Sequence, residues 1–163
     1  MRDRPYHVLF LCTGNSARSI LAESLLNHWG RGRFRAFSAG SFPQGQVHPL
    51  AIELLEWKRL PTAGLRSKSW DEFAAADAPP IDSVITVCDN AAGEVCPVWP
   101  GKPITAHWGV ADPAAVEGDA ERAAAFRRTL TELEARIKLL VNVPVESLDR
   151  TAVQQTVRGI GHG

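Results

Sequence analysis

His7-Val8-Leu9-Phe10-Leu11-Cys12-Thr13-Gly14-Asn15-Ser16-Ala17-Arg18-Ser19 is the stretch on which the fold turns. Its first six residues form a short apolar run, the pattern of a strand buried on both faces of a parallel sheet. The run stops at Thr13-Gly14-Asn15, a turn signal, and helix formers take over from Ala17 to Trp29, with Ile20, Leu21, Leu25 and Leu26 available for one face. Arg35-Ala36-Phe37-Ser38 reads as a second strand, closed by Ala39-Gly40. A helix from about Pro49 to Lys58 follows, with proline in its first turn.

Further along, Ser67 to Ala76 suggests a short helix, and Ala78-Pro79-Pro80 breaks the chain. Ser83-Val84-Ile85-Thr86-Val87-Cys88 is β-branched and reads as a central strand, with Ile104-Thr105-Ala106-His107 as a fourth. Phe126, Leu130, Leu133, Ile137 and Leu140 recur at alternating four-three spacing and mark one face of a long helix between Asp119 and Val141. The expected organisation is one domain over residues 1–143, then an extension over 144–163 that is partly helical or disordered and frays from Gly159. Alternating strands and helices imply an α/β fold, a parallel sheet covered on both faces, with ligands at the carboxyl ends of its strands. Cys12 and Cys88 both fall at such ends.

Composition narrows the function. Among 163 residues, 18 Lys+Arg balance 18 Asp+Glu, which argues against a nucleic-acid or membrane-surface partner. With 45% hydrophobic residues the chain can bury a core without staples. No apolar stretch reaches the roughly 18 residues of a membrane span, and the start lacks a secretory pattern, so a cytoplasmic monomer is expected. Three cysteines are too few for a disulfide scaffold; in a reducing compartment they are inert core, metal ligands or redox chemistry.

Cys12 stands at a strand end, with five residues between it and Arg18 at the start of a helix. A loop of that length can turn successive backbone N–H groups inward and ring a tetrahedral oxyanion, with the helix dipole adding positive potential. Thr13, Gly14, Asn15, Ser16 and Ala17 would supply the ring, with Gly14 and Asn15 tolerating left-handed turns. Arg18 would hold two oxyanion oxygens in its planar fork, and a thiol beside a cation and a helix N-terminus is expected as thiolate. The plain alternative is a buried cysteine beside a surface arginine. A cysteine followed by Arg-Ser at this distance arises by chance in roughly one chain in a hundred.

Taken with Ser38-Ala39-Gly40 and His107-Trp108-Gly109-Val110-Ala111-Asp112-Pro113-Ala114, this loop resembles the low-molecular-weight tyrosine phosphatase superfamily, and within it the arsenate reductases. The resemblance runs over about residues 7 to 141. It implies a four-stranded parallel sheet in the order 2-1-3-4, Cys12 as nucleophile, Arg18 as oxyanion binder, Ser19 as a hydroxyl steadying the thiolate, and Asp112 as general acid. Independently, a carboxyl fixed by a following proline at the rim of such a site suits proton donation, although Asp-Pro also caps turns and helices.

Cys88 and Cys96 lack zinc-pair spacing. In the implied strand order Cys12 and Cys88 end neighbouring strands about 4.8 Å apart, inside the roughly 4.4–6.8 Å Cα separation of a disulfide. A phosphatase needs one cysteine, whereas a reductase must find two electrons, which a dithiol supplies. The resemblance to thioredoxin-coupled arsenate reductases implies a cascade. Cys12 attacks arsenic(V), Cys88 attacks Cys12 and releases arsenite, and Cys96 attacks Cys88 to leave a disulfide for thioredoxin, or for glutaredoxin with glutathione. No tightly bound cofactor is expected, only an external thiol reductant, with phosphate or sulfate as mimics of arsenate. The alternative is Cys88 as core and Cys96 as incidental.

Ala17 stands where the tyrosine phosphatases carry a second cysteine, and Tyr6 is the single tyrosine, which weakens the phosphatase reading. Several reductases of the family bind potassium through an asparagine, a glutamate, a serine and an aspartate. Asn15, Glu23 and Ser38 match the first three, while Lys68 stands in the aspartate's place. Either its ammonium replaces the cation or Lys68 is a solvated surface residue. The rival functions are phosphomonoester hydrolysis and non-catalytic binding of an oxyanion or metalloid.

Overall fold

The computed structural model describes residues 4–162. Strand β1 (Tyr6–Cys12) is buried along its whole length and sits inside the sheet. It pairs in parallel with β2 (Phe34–Gly40) on one side and β3 (Ser83–Thr86) on the other; β4 (Ile104–His107) extends the sheet from β3, giving the order 2-1-3-4. The register sets Cys12 beside Gly40 and Leu11 beside Thr86.

Alternation along β1 divides the core. Val8, Phe10 and Cys12 join the larger apolar cluster with residues of α1 (Arg18–Trp29), α2 (Pro49–Trp57), α4 (Asp119–Val141) and α5 (Arg150–Ile160). Leu9 and Leu11 join a smaller one with Ala39 and Val84, covered by Trp70, Trp99 and Phe73 of the short α3 (Asp71–Ala74). In α4 the five residues of the four-three stripe are all buried.

Three segments differ from the sequence reading. The 67–76 helix shrinks to α3 because the chain before it runs along β2: Gly40 N donates to Lys68 O and Trp70 N to Gly40 O, both 2.9 Å, through a parallel bridge at Ser69. β3 ends at Thr86, and Cys88 leaves the ladder for a covalent partner. The tail does not fray at Gly159. α5 runs to Ile160, with Val153, Val157 and Ile160 buried; Gly163 lies outside the described residues. Helix α5 closes the β4 edge, where Arg158 Nε donates to Thr105 O (2.8 Å) and Trp108 Nε1 to Val157 O (2.9 Å). No described helix is long and apolar enough to cross a membrane.

Candidate active site

The ring is built by the backbone around Cys12. Asn15 takes φ 45°, the left-handed turn that reverses the chain. Outside the ring, Thr13 O accepts from Phe42 N (3.0 Å), Gly14 O from Gln44 N (3.0 Å) and Ser67 Oγ (3.1 Å), and Ser16 O from His48 N (2.8 Å). In a trans peptide the N–H points opposite its carbonyl, so the N–H groups of Gly14, Asn15 and Ala17 are left to the interior. No side chain caps the start of α1, which leaves its first N–H groups for an anion as well. Gly40 permits this closeness: a Cβ there would lie 2.4 Å from Thr13 O and 2.9 Å from Cys12 O.

At the floor of the ring, a chain of hydrogen bonds has a fixed direction. Lys68 N donates to Asn15 Oδ1 (2.9 Å), which orients the amide, and Asn15 Nδ2 donates to Ser19 Oγ (2.8 Å). The Ser19 proton is thereby free to point at Cys12 Sγ, 3.0 Å away. Cys12 is a buried free cysteine, and Asn15 and Ser19 are fully buried.

Arg18 is 5% exposed, yet burial does not discharge it. Desolvation works against its charge, but the Glu94 hydrogen bonds and the proximity of Cys12 and Asp112 outweigh it and raise its pKa. Nη1 donates to Glu94 Oε2 (2.8 Å) and Val110 O (3.1 Å), and Nη2 to Glu94 Oε1 (2.5 Å). The guanidinium holds the Glu94 carboxyl below the usual carboxylate range, against partial burial and with help from Asp89 N–H. Asp112 caps a turn and also reaches the rim of the site. Its Oδ1 caps the turn Pro113–Ala115 by accepting from Ala114 N (3.0 Å), and its Oδ2 lies 3.8 Å from Arg18 Nη2. Cys12, Thr13, Gly14, Ser16, Ala17, Arg18, Glu94 and Asp112 line a cavity of about 170 Å³, the scale of a small oxyanion. A larger cavity, about 630 Å³, lies elsewhere, between β4, α5 and the 89–99 loop.

Lys68 is no solvated surface residue; its side chain is 9% exposed. Its Nζ lies 3.0 Å from Arg66 O, 3.5 Å from Ser38 Oγ and 3.8 Å from Glu23 Oε1, while Ser38 Oγ donates to Glu23 (2.5 Å). Burial lowers the Lys68 pKa and raises that of Glu23, each opposed by the other's charge. A potassium ion set among Asn15, Glu23 and Ser38 would meet this ammonium. The residues do not fit that ion, because the Lys68 ammonium already lies among the same oxygens.

Cys88 and Cys96 are joined in a disulfide, with Cα atoms 5.8 Å apart. Cys88 is fully buried just past β3, and the loop between the two turns through Asn90–Ala92 and Gly93 (φ 78°). Over the ring, Thr13 Oγ1 donates to Val95 O (2.7 Å). Sequence reasoning missed Glu94, the contact at Val95 and the close approach at Gly40. One signal for Glu94 was there: it is the sole glutamate between the two cysteines.

The model of the low molecular weight phosphotyrosine protein phosphatase family matches residues 7–155, which reaches into α5. An arsenate reductase of Halalkalibacterium halodurans is 38% identical over 136 residues, covering 80% of this chain and 91% of that protein. The crystal structure of an arsenate reductase from Archaeoglobus fulgidus aligns with TM-score 0.69 and 32% identity, over 83% of this chain and 99% of that one. A thioredoxin-dependent arsenate reductase of Corynebacterium glutamicum aligns with TM-score 0.61 and 28% identity, over 85% of this chain and 61% of that one. With the cysteine-arginine ring at the end of β1 and a second thiol pair beside it, the chain belongs to the low molecular weight phosphotyrosine protein phosphatase family, in its arsenate reductase branch.

Proposed function

We propose that this chain reduces arsenate to arsenite through Cys12, Cys88 and Cys96. The observation that carries this reading is the pairing of a Cys88–Cys96 disulfide with a free Cys12, the state expected after one turnover. The ring N–H groups and Arg18 hold arsenate, and Cys12 Sγ attacks arsenic as a thiolate directed by Ser19. An oxygen leaves with a proton from Asp112. Cys88 then attacks Cys12 Sγ: an S–S bond forms, the S–As bond breaks, and its electron pair stays on arsenic, which departs as arsenite. Cys96 attacks Cys88 and returns Cys12 as thiolate.

Phosphomonoester hydrolysis shares the first step but leaves the second thiol pair without a role. Regeneration falls to an external dithiol, for which we favour thioredoxin over glutaredoxin with glutathione, in the reducing cytoplasm; the dependence of the C. glutamicum relative supports this choice. A steady-state assay of arsenate reduction with the two systems in parallel tests both parts. Arsenite produced over many turnovers with thioredoxin is expected. No arsenite with either system would refute the reductase, and turnover with glutaredoxin and glutathione alone would move the coupling.

A further inference from the structure

The oxidised loop brings a carboxylate to the place where the substrate's oxygens belong. Glu94 lies inside the ring closed by the disulfide, two residues before Cys96, and its two oxygens grip both ends of the Arg18 fork. A planar carboxylate on a guanidinium uses the same pair of parallel N–H bonds as two oxygens of a tetrahedral oxyanion. The second hydrogen of Nη1 goes to Val110 O, and Asp112 stands beside Nη2, so little of the fork remains. Asp89 N–H holds Glu94 Oε2 at 3.0 Å, and the Thr13 contact to Val95 O ties the next residue to the ring itself.

We propose that Glu94 is an internal competitor for the oxyanion. While the Cys88–Cys96 bond is closed, its carboxylate occupies Arg18 and shuts arsenate and phosphate out. When a dithiol gives two electrons and two protons to that bond, Cys88 and Cys96 become thiols, the dithiol becomes a disulfide, and the loop is released with Glu94. The proposal rests on the reading of the Cys12–Arg18 ring as the oxyanion site. Tethering makes the competition effective: a group on a short loop acts at millimolar local concentration or above, without needing tight intrinsic binding. Two anions cannot share the one buried guanidinium without strong repulsion. The consequence is order in the cycle. An enzyme whose thiol pair is spent, and which cannot release arsenite, does not sequester a new arsenate.

Inorganic phosphate is the probe. Its affinity is measured by titration calorimetry, at one pH and ionic strength, for oxidised and dithiol-reduced protein of wild type, Glu94→Gln and Glu94→Ala, with the disulfide verified by mass. Cys12 is a free thiol in both states, so the floor of the ring is common to all six samples. Oxidised wild type is expected to bind phosphate at least about tenfold more weakly than reduced wild type, and both variants to bring the oxidised affinity within about threefold of the reduced. Equal affinity of the two wild-type states, or oxidised variants as weak as oxidised wild type, would overturn the competition while leaving the anion site in place. No phosphate binding in any sample would overturn the site and the proposal together.

Discussion

The anion loop and the 88–98 loop meet over Cys12 but are built in opposite ways. In the first, Asn15 and Ser19 are fully buried, and the carbonyls of Thr13, Gly14 and Ser16 are each tied to backbone outside the ring. In the second, Val95 and Val98 are about four-fifths exposed; a disulfide, the Glu94–Arg18 pair and the Thr13 contact bind it to the site. The difference follows from the work proposed for each. A nucleophile has to meet an oxyanion at fixed geometry, so its loop is set by buried backbone. A thiol that passes oxidising equivalents outward has to change partners, so its loop is drawn from the weakly held part of the fold.

Substitutions can break or sharpen that contrast. Cys12→Ser is expected to abolish both arsenate reduction and any phosphatase activity, because no other group in the ring can form the bond to arsenic; a reduction assay and a p-nitrophenyl phosphate assay check it. Asp112→Asn keeps the size and the cap of the Pro113 turn but removes the proton. Its first chemical step, read in single turnover, is expected to slow by roughly 10²–10⁴-fold. Gly40→Ala pushes a methyl at Thr13 O and Cys12 O, backbone atoms that cannot swing aside, and is expected to cost about 1–3 kcal/mol in denaturant unfolding. Val98→Ala, on the exposed loop, is expected to stay within about 0.5 kcal/mol. Similar losses at the two positions would erase the contrast.

The smallest effect is a pH dependence. His48 N holds Ser16 O, and its Nδ1 caps α2 by accepting from Leu50 N (3.1 Å). Burial, with Arg122 adding to it and Asp112 opposing, lowers the His48 pKa, and burial lowers that of His107. The folded state therefore binds these protons less readily than the unfolded one. Their contribution to stability is complete above the ordinary imidazole range and is lost as pH falls through it toward the depressed folded values. Melting temperature is expected to drop over that interval, and His48→Asn, which can still cap, to flatten part of the drop.

Much of the fold was legible because local signals agreed with it. β4 spans Ile104–His107, as its residue types suggested, and α4 Asp119–Val141, as periodicity indicated, while the strand order followed from the family that the chain resembles. Losses came where tertiary contact overruled local pattern. Residues 67–70 have helical composition but complete the edge of β2, and Val153, Val157 and Ile160 carry the same four-three stripe as α4 on a tail too short to be persuasive alone. In the site, Cys12 and Arg18 stood out by spacing and Asp112 by the family resemblance and the proline after it, and the structure brings all three to one cavity. Glu94 did not stand out, since its partner is 76 residues away and only the fold joins them.

In the proposed cascade, oxidising equivalents move from the fixed loop to the exposed one, Cys12 to Cys88 to Cys96. Peptide mapping of trapped species after a single turnover with arsenate tests it most directly. Cys96→Ser should release one equivalent of arsenite and accumulate a Cys12–Cys88 disulfide, whereas Cys88→Ser should stall with arsenic on Cys12 and release none. A Cys96→Ser protein that holds no Cys12–Cys88 disulfide and cycles at the wild-type rate with thioredoxin would contradict the three-cysteine route.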